Sequence, residues 1–381
     1  MILPTKKIGS LINDGEINLI SGFAFKSNLF SDSKGIPLIR IRDVVRGRSD
    51  TFYSGDYDNK YIVKDGDLLI GMDGNFNVSK WRGGKALLNQ RVCCIRSTGN
   101  AVNESFLFYF LPKELKRIEE RTPHVTVKHL STSKIKEILF PVIEEDGQTR
   151  IADILDKADA LRQKRKESIK LLDDFLRSTF LAMFGDPHKN PKGWDKKTIR
   201  QLTVKIEKIN PQKRPNLNYI DISSIDNDKK IISSTKEFQG FNAPSRARQL
   251  LKQNDILIST VRPNLNAVAV VIDELENLVG STGFCVLRTD NNINHRYMFE
   301  IVKSNYFVNS LVKKVIGANY PAVSNSHVLE VEIPVPPEEL QNKFAKIVQQ
   351  VEKLKAKYKE SEKELDNLFG SLMQRAFRGE L

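Results

Sequence analysis

The chain has few cysteines and no long apolar run, and both absences exclude whole classes of protein. Its three cysteines, Cys93, Cys94 and Cys285, are an odd number in 381 residues and show no metal-ligand spacing. We therefore expect reduced thiols buried in strands of a cytoplasmic protein rather than a disulfide framework or a zinc module. Because no stretch approaches about 18 apolar residues, no membrane span is expected, and the first residues do not resemble a signal peptide.

Recognisable catalytic motifs are also missing from the sequence. It has no glycine-rich phosphate-binding loop, nucleophile elbow or zinc-protease helix. His124 and His129 are five residues apart, which is wrong for one helix face. The Asn-Pro-Pro-aromatic tetrapeptide of amino-methyltransferases is absent, because Pro336-Pro337 has neither the polar residue before it nor the aromatic residue after it. We therefore expect no catalytic residues and no metal or cofactor bound by this chain, although a diffuse acidic nuclease site would escape such a search.

The net charge is +13, and its distribution along the chain favours a nucleic-acid partner. Residues 1–140 carry 22 Lys+Arg against 15 Asp+Glu, and residues 188–333 carry 21 against 14. All other residues together are almost neutral, with 17 against 18. Attraction to phosphate that is independent of base sequence requires such a surplus, so each basic region is a candidate for binding double-stranded DNA.

The strongest pattern is an internal repeat, in which residues 141–187 are written again at 334–380. Gln148 returns as Gln341 and Phe184 as Phe377, each 193 positions later. A constant offset over this whole range indicates two similar halves, each a globular segment followed by a long helix.

Both copies of the repeat have the apolar spacing of a long helix. An acidic first turn marks the start of the first helix, and Pro336-Pro337 marks the start of the second. Phe184-Gly185-Asp186-Pro187 marks the end of the first helix. Apolar residues recur at intervals of three and four, which predicts two helices of about 40 residues, or about 60 Å, packed antiparallel as a coiled coil. The predicted seam comprises Ile151, Ile154, Leu161, Leu172, Phe344, Ile347, Leu354 and Leu365.

Short β-branched runs separated by Gly, Asn and Asp loops precede each long helix. They predict twisted sheets with a few helices, including one near residues 104–120 and one near 295–314. The fold class is therefore α+β, with a pseudo-twofold internal repeat. The predicted boundaries are 1–143 and 195–335 for the two globular domains, 144–185 and 336–381 for the spacer helices, and 186–194 for the linker.

The two halves match in their strands and differ in the loops, and the loops carry most of the candidate DNA-binding residues. Arg and Lys can bind phosphate, Arg can read guanine, and Asn amides can read adenine. One scaffold with two loop sets would read two different targets. The candidates in the first half are Lys26, Arg40, Arg42, Arg46, Arg48, Asn75, Asn77, Lys80, Trp81, Arg82, His124 and Lys128. Those in the second half are Arg214, Arg246, Arg248, Arg262, Asn264, Asn266, Lys313, Lys314, Asn319 and Tyr320.

The whole chain resembles the specificity subunit of type I restriction-modification systems. The most specific matches are Ser21-Gly22-Phe23-Ala24-Phe25-Lys26, the strands at Asp67 and Asp255, and the helix entry Gln148-x-x-Ile151-Ala152 with its repeat Gln341-x-x-Phe344-Ala345. The second domain departs from the pattern, because it has no obvious Gly-Phe-Ala-Phe counterpart. Its first strand and its target therefore stay unassigned.

The resemblance implies that two target-recognition domains each read one half of a bipartite, asymmetric DNA site. The helices would set the gap between half-sites and dock two modification subunits. Those partners would methylate adenine N6 and bind S-adenosylmethionine, ATP and Mg, and the sequence leaves open whether restriction subunits join. Three alternatives remain: the specificity component of a fused nuclease-methyltransferase system, an autonomous metal-dependent nuclease, and a coiled-coil interaction protein without DNA affinity.

Overall fold

The structure is a computed structural model that describes residues 3–122, 127–272, 275–315 and 321–381. It divides into two compact units. Unit 1 consists of residues 1–167 together with 360–381, and unit 2 consists of residues 168–359. Each of the two long helices therefore contributes one part to each unit.

Among the residues that the structure describes, those before the first long helix form short strands and four short or medium α-helices. Strands β1 to β11 lie at Thr5–Lys7, Ile17–Ser21, Phe30–Ser31, Ile36–Ile39, Phe52–Tyr53, Ile62–Val63, Leu68–Gly71, Val78–Lys80, Ala86–Leu88, Val92–Ser97 and Leu139–Pro141. Helices α1 to α5 lie at Ile8–Asn13, Ile41–Arg46, Glu104–Arg121, Thr132–Lys136 and Glu145–Phe184.

Unit 1 contains one larger antiparallel sheet and one mixed sheet. One is antiparallel with strand order β2-β10-β7-β8, and the other has the order β3-β5-β4-β9-β6. Strands β4 and β9 of the second sheet run parallel, so their carboxyl ends lie at the same edge. Helix α2 and the turn Asn89–Arg91 both begin at that edge, which brings together two segments whose first residues, Ile41 and Asn89, are 48 positions apart.

The central strand β7 is apolar throughout because both of its faces are covered. Leu68 and Ile70 belong to the core that also contains α3, whereas Leu69 belongs to a second core with Trp81 and Cys94. This alternation follows from the two-residue period of a strand. Each fully buried Leu or Ile side chain contributes about 1.5–3 kcal/mol, so the run Leu68–Ile70 holds the two layers together.

The second half of the chain forms a comparable set of elements. Strands β12 to β23 lie at Lys196–Thr198, Thr203–Val204, Asn216–Ile220, Ile225–Asp226, Ile231–Ile232, Lys236–Gln239, Ala247–Leu250, Ile256–Ser259, Val268–Val270, Leu278–Ser281, Phe284–Thr289 and Glu332–Pro334. Helices α6 to α9 lie at His295–Lys303, Asn305–Val312, Asn325–Leu329 and Glu338–Ala376.

Unit 2 repeats the antiparallel sheet of unit 1, and its mixed sheet has four strands where that of unit 1 has five. Its antiparallel sheet has the order β13-β22-β19-β20, and its mixed sheet has the order β17-β14-β21-β18 with β14 and β21 parallel. The prediction of one helix over 295–314 is wrong, whereas α3 confirms the helix near 104–120. The break falls at Ser304, whose hydroxyl donates to the Ile301 carbonyl at 2.6 Å and accepts from the Phe307 N–H at 3.3 Å. Serine competes for backbone bonds in this way and starts a new helix.

Helices α5 and α9 have 40 and 39 residues, which confirms the predicted length. Within unit 1, the beginning of α5 and the end of α9 share a core that includes Leu155 and Ala376. Within unit 2, the end of α5 packs on the beginning of α9, and the rings of Phe180 and Phe344 are 5.6 Å apart. The pairing is therefore antiparallel in each unit. Within the described ranges, none of the helices combines the length and apolarity that a bilayer crossing requires.

Near the middle of each long helix, the inward stripe is one residue away from the predicted seam. Leu161 is 53% and Leu354 is 37% exposed, whereas Arg162 and Lys355 are less exposed and bond to the neighbouring helix. Arg162 Nε donates to Asp366 Oδ1 at 2.6 Å, and Lys355 Nζ donates to Asp173 Oδ1 at 2.5 Å. The prediction that Leu161 and Leu354 lie in the seam is therefore wrong. Long cationic side chains can lie along apolar surface and still reach a carboxylate, which an apolar pattern does not show.

The remaining predicted seam residues are buried to different degrees. Ile151 and Phe344, at the same place in the two copies, are fully buried and lie in the cores of units 1 and 2. Those with intermediate exposure are Ile154, Leu172, Ile347 and Leu365. The seam is therefore formed by buried apolar side chains near the globular parts and becomes more polar towards Arg162 and Lys355.

Candidate nucleic-acid interface

In unit 1, chain segments that are far apart in sequence are joined at one edge of the sheets. The Met72 N–H donates to the Arg91 carbonyl at 2.8 Å, and the Leu130 N–H donates to the Met72 carbonyl at 2.7 Å. Helix α2 adds to this edge, because the Ser79 hydroxyl of β8 donates to the Val44 carbonyl. We call the surface of residues 40–48, 71–77, 89–91 and 127–130 face 1.

Face 1 contains a charged cluster that sequence reasoning missed. Asp73 Oδ1 lies 2.6 Å from His129 Nδ1, and Asp73 Oδ2 lies 3.4 Å from Arg91 Nε. Arg91 has a positive φ of 73°, as the tight turn after β9 requires. The three residues come from three separate segments, so only the pairing of strands could have shown that they meet. Together they offer exposed nitrogen donors around one carboxylate.

The predicted arginines of face 1 surround helix α2. Arg40, Arg42, Arg46 and Arg48 are all exposed, as the DNA-binding prediction requires. Part of their charge is offset, since Asp50 lies 3.9 Å from both Arg46 and Arg48. The buried Asp43 carboxylate accepts from the Arg40 N–H at 2.9 Å and so fixes the start of the helix.

Two predicted residues of unit 1 have a structural role instead of an exposed one. Trp81 is fully buried in the core beside Leu69, and its indole N–H donates to the Gly84 carbonyl at 2.7 Å. The expectation that its ring would be offered to DNA is therefore wrong. Lys80 Nζ donates to Ser105 Oγ at 2.8 Å and lies over the Phe108 ring, so it faces α3.

The other predicted residues of unit 1 divide by exposure. Lys128 is largely buried as a side chain and lies 3.9 Å from Glu119, although its carbonyl accepts from the Gly74 N–H within face 1. His124 lies outside the described residues. The exposed ones are Lys26, Asn75, Asn77 and Arg82.

Unit 2 joins the corresponding segments with the same backbone hydrogen bonds. The Thr260 N–H donates to the Gly283 carbonyl at 3.0 Å, the Val323 N–H to the Thr260 carbonyl at 2.9 Å, and the Arg262 N–H to the Pro321 carbonyl at 2.7 Å. The Thr282 N–H also donates to the Arg246 carbonyl, which adds that predicted arginine. We call the surface of residues 246, 260–266, 281–283 and 321–323 face 2.

Face 2 exposes Arg246, Arg262 and Asn264, all predicted from the sequence. Asn266 is instead tied to the scaffold, because its Nδ2 donates to the Lys303 carbonyl at 3.1 Å and its carbonyl accepts from Lys230 Nζ. Arg262 and Asn266 both have left-handed φ values, 49° and 47°, which shape the loop.

The other predicted residues of unit 2 that the structure describes lie outside the ranges that define face 2. Arg214 Nη1 donates to Asn277 Oδ1 at 3.2 Å, and Arg248 Nε donates to the Ser245 carbonyl at 2.8 Å. Lys313 and Lys314 follow α7 and are exposed or partly exposed. Asn319 and Tyr320 lie outside the described residues.

The three thiols are free and buried in β10 and β22, as predicted. Burial raises the pKa of Cys93 and of Cys285 to about 12 and raises that of Cys94 as well, so all three stay protonated near neutral pH. Across the described parts of the chain, no group of three or more His, Cys, Asp or Glu is placed to hold a metal ion.

Two matched α+β units with different basic faces define a two-domain DNA-specificity protein, and comparison with known proteins agrees. Residues 6–171 and 191–366 each match the model of the type I restriction modification DNA specificity domain. The chain belongs to this family. It is 30% identical to the type I restriction enzyme EcoBI specificity subunit of Escherichia coli, over 97% of this chain and 85% of that protein. It is 24% identical to the MjaVIII specificity subunit of Methanocaldococcus jannaschii, over 80% of this chain and 76% of that protein.

Solved structures show the same fold at lower sequence identity. The S subunit of a type I restriction-modification system from M. genitalium is 16% identical, has a TM-score of 0.58, and is aligned over 98% of this chain and 95% of its own. A chain from a structural study of complex assembly in the type I system is 18% identical, with a TM-score of 0.58 and full coverage of both chains.

Proposed function

We propose that this chain addresses a type I restriction-modification complex to a bipartite DNA site, with face 1 reading one half-site and face 2 the other. The observation that carries the proposal is that the same backbone bonds hold both faces while their side chains differ. Each basic region has a surplus of seven positive charges, which suits the phosphate backbone. Exposed Arg and Asn side chains, such as Arg91, Arg262 and Asn264, suit base edges.

The long helices offer two equivalent sites for a modification subunit. In unit 1, Leu161 and Leu368 lie close in sequence to the Arg162–Asp366 ion pair, and both are about half exposed. In unit 2, the same repeat positions are Leu354 and Phe175, beside Lys355 and Asp173, and they are also exposed. Exposed apolar residues that recur by internal repeat favour binding of one partner type twice.

We assign the chemistry to those partners. They would supply the methyl transfer to adenine N6 with S-adenosylmethionine, and any ATP and Mg would also be bound by partner subunits. This chain would then be non-catalytic and would act in the cytoplasm, where its DNA is. Methylation requires a base to be flipped out of the duplex, and a subunit that holds both half-sites keeps the DNA in place meanwhile.

The direct test is the methylome of a host strain without adenine methylation that expresses this chain with its modification subunit. We expect a split motif with one fixed gap, present only when this chain is included. A modification subunit shown to be competent with another specificity chain, but inactive with this one in a stable complex, would contradict the proposal.

The two docking sites can be tested separately. We expect Leu161→Glu with Leu368→Glu, or Phe175→Glu with Leu354→Glu, to remove one modification subunit each from the complex, as measured by native mass spectrometry. Gln163→Glu is a matched control, since it places a carboxylate at another exposed position of α5. Retention of two subunits by both double variants would exclude these residues as the docking sites.

A further inference from the structure

Gln148, at the start of α5, is a buried polar side chain whose hydrogen bonds reach the globular part of unit 1. It is 1% exposed. Its Oε1 accepts from the Asn103 N–H at 2.9 Å, and its Nε2 donates to the Ala101 and Ile143 carbonyls, both at 2.8 Å. Both ends of the amide are thus satisfied, so its burial carries no unpaired polar group.

The partner of Gln148 is the residue that caps helix α3. Asn103 Oδ1 accepts from the Phe106 N–H at 3.0 Å, and Asn103 Nδ2 donates to Thr149 Oγ1 at 3.2 Å. Gln148 and Thr149 therefore hold the first turn of the main helix of the globular part against the long helix. One further hydrogen bond joins the two helices along their length, from the Tyr109 hydroxyl to Asp156 Oδ1 at 2.6 Å. The rings of Phe106, Phe110 and Phe377 also pack at this junction, and apolar packing fixes direction less strictly than hydrogen bonds do.

The same arrangement recurs in unit 2, although the two faces differ. Gln341 is 0% exposed, its Oε1 accepts from the Asn294 N–H at 2.8 Å, and its Nε2 donates to the Pro336 carbonyl at 2.8 Å. Asn294 caps α6 by accepting from the Arg296 N–H, and its Nδ2 donates to Asn342 Oδ1 at 3.0 Å. A leucine is similar in size but could make none of these bonds, so the buried amide at both positions favours a directional role.

We propose that Gln148 and Gln341 are positioning residues that fix the angle between each recognition domain and its long helix, and thereby confine the complex to one gap length. The proposal rests on the proposed function. A domain of about 140 residues has a radius of gyration of about 14 Å, so its far side lies about 30 Å from such a junction. A tilt of about 7° there moves the far side by about 3.4 Å, the rise of one base pair.

The test compares Gln148→Leu and Gln341→Leu with Gln163→Leu, an exposed control on α5, by the methylome of the complete complex. We expect wild type and the control to modify one gap length. Each junction variant should keep both half-sites and also modify sites with a gap one base pair longer or shorter, about tenfold above wild type. Loss of modification that is equal at all sites, with the single gap kept, would reduce both residues to a stability role and overturn the proposal.

Two further measurements keep the outcome decisive. If the leucine variants do not fold, Thr149→Val and Asn342→Ala remove the outer hydrogen bond of each junction and should show a weaker gap relaxation of the same kind. Hydrogen exchange should become faster at the Asn103 amide in the Gln148 variant and at the Asn294 amide in the Gln341 variant, while the β10 and β22 amides stay protected. Unchanged exchange at these two amides would contradict the proposal. A wild-type complex with no split motif would refute the proposed function instead.

Discussion

Units 1 and 2 have nearly the same polar scaffold beneath two different faces. In unit 1, Arg96 Nε and Nη2 both donate to the buried Asp67 at 2.6 Å, and Nη2 also donates to the Ile62 carbonyl. In unit 2, Arg288 binds Asp255 at 2.8 and 2.7 Å and the Leu250 carbonyl at 3.1 Å. Each aspartate also accepts a backbone N–H, from Lys64 or Lys252. The scaffold is thus determined by buried, directional bonds that are repeated almost atom for atom.

The faces differ at the positions that these bonds leave free. Asp73, Arg91 and His129 of face 1 correspond to Val261, Gly283 and Ala322 of face 2 in the matched backbone pairings. The comparison indicates that the side chains of a recognition surface can change while the fold is kept, because they are carried on backbone hydrogen bonds that every residue except a proline donor can make.

The position after the parallel strand differs as well. Arg40 follows β4, whereas Asp221 follows β14 and binds Lys236 at 2.6 Å. Although partial burial opposes it, hydrogen bonds from Lys236 and Ser223 lower the pKa of Asp221, so it is a carboxylate near neutral pH. The face 1 side of this edge is therefore basic, and its counterpart in unit 2 is charge-compensated.

The largest effects are expected from breaking the repeated scaffold. Arg96→Ala leaves Asp67 buried without its cation, which should destabilise unit 1 by about 3–5 kcal/mol. Hydrogen exchange of the β7 and β10 amides should then accelerate by about a hundredfold or more, with β19 and β22 unaffected. Arg288→Ala should give the reverse pattern.

Arg82→Ala is the control for this pair, because Arg82 is an exposed arginine of the same unit. Its effect on the free energy of unfolding should stay within about 0.5 kcal/mol. Equal acceleration in both units on either scaffold substitution would show that the two units unfold together.

The sequence predicted what local spacing encodes. The offset repeat and the three- and four-residue periods predict both long helices. The sequence segments that contain Asp67 and Arg96 also resemble those that contain Asp255 and Arg288. That the matched aspartate and arginine bind each other was not predictable, because the pairing depends on the register between β7 and β10.

The candidate sites were predicted less well for the same physical reason. Asp73 and His129 are 56 positions apart and meet only through strand pairing, so no local pattern shows the cluster. Trp81 follows a basic and amide-rich loop in sequence, yet the hydrophobic effect places its ring in the core. Residue type therefore indicated the basic surface, and tertiary packing decided which members are exposed.

Intermediate effects are expected from substitutions of exposed arginines on face 1 and face 2. Arg91→Ala should weaken recognition of one half-site only, and Arg262→Ala that of the other, each by about 1–3 kcal/mol if the side chain contacts a base. The measurement is the methylome of each variant complex, with sites grouped by mismatches in each half-site. If either substitution relaxed both half-sites, the assignment of one face to one half-site would be wrong.

The smallest effects are expected at the repeated ion pairs of the long helices, where the two units differ in strength. Arg162 bonds to Asp159 at 2.8 Å as well as to Asp366, and its guanidinium lies 4.3 Å from the centroid of the Phe369 ring. Arg162→Met should therefore lower Tm more than Lys355→Met, although by about 2 °C or less, since exposed ion pairs contribute little.

The effect of Arg162→Met should also depend on pH with a definite sign. The hydrogen bond from Arg162 lowers the pKa of Asp366 from its ordinary value. Stability from this pair is therefore present above the ordinary pKa of an aspartate and is lost as the pH falls through the lowered value. The difference in Tm between wild type and Arg162→Met should shrink on acidification. A difference that stays constant would mean that the contact with Phe369, which does not titrate, is what the arginine contributes.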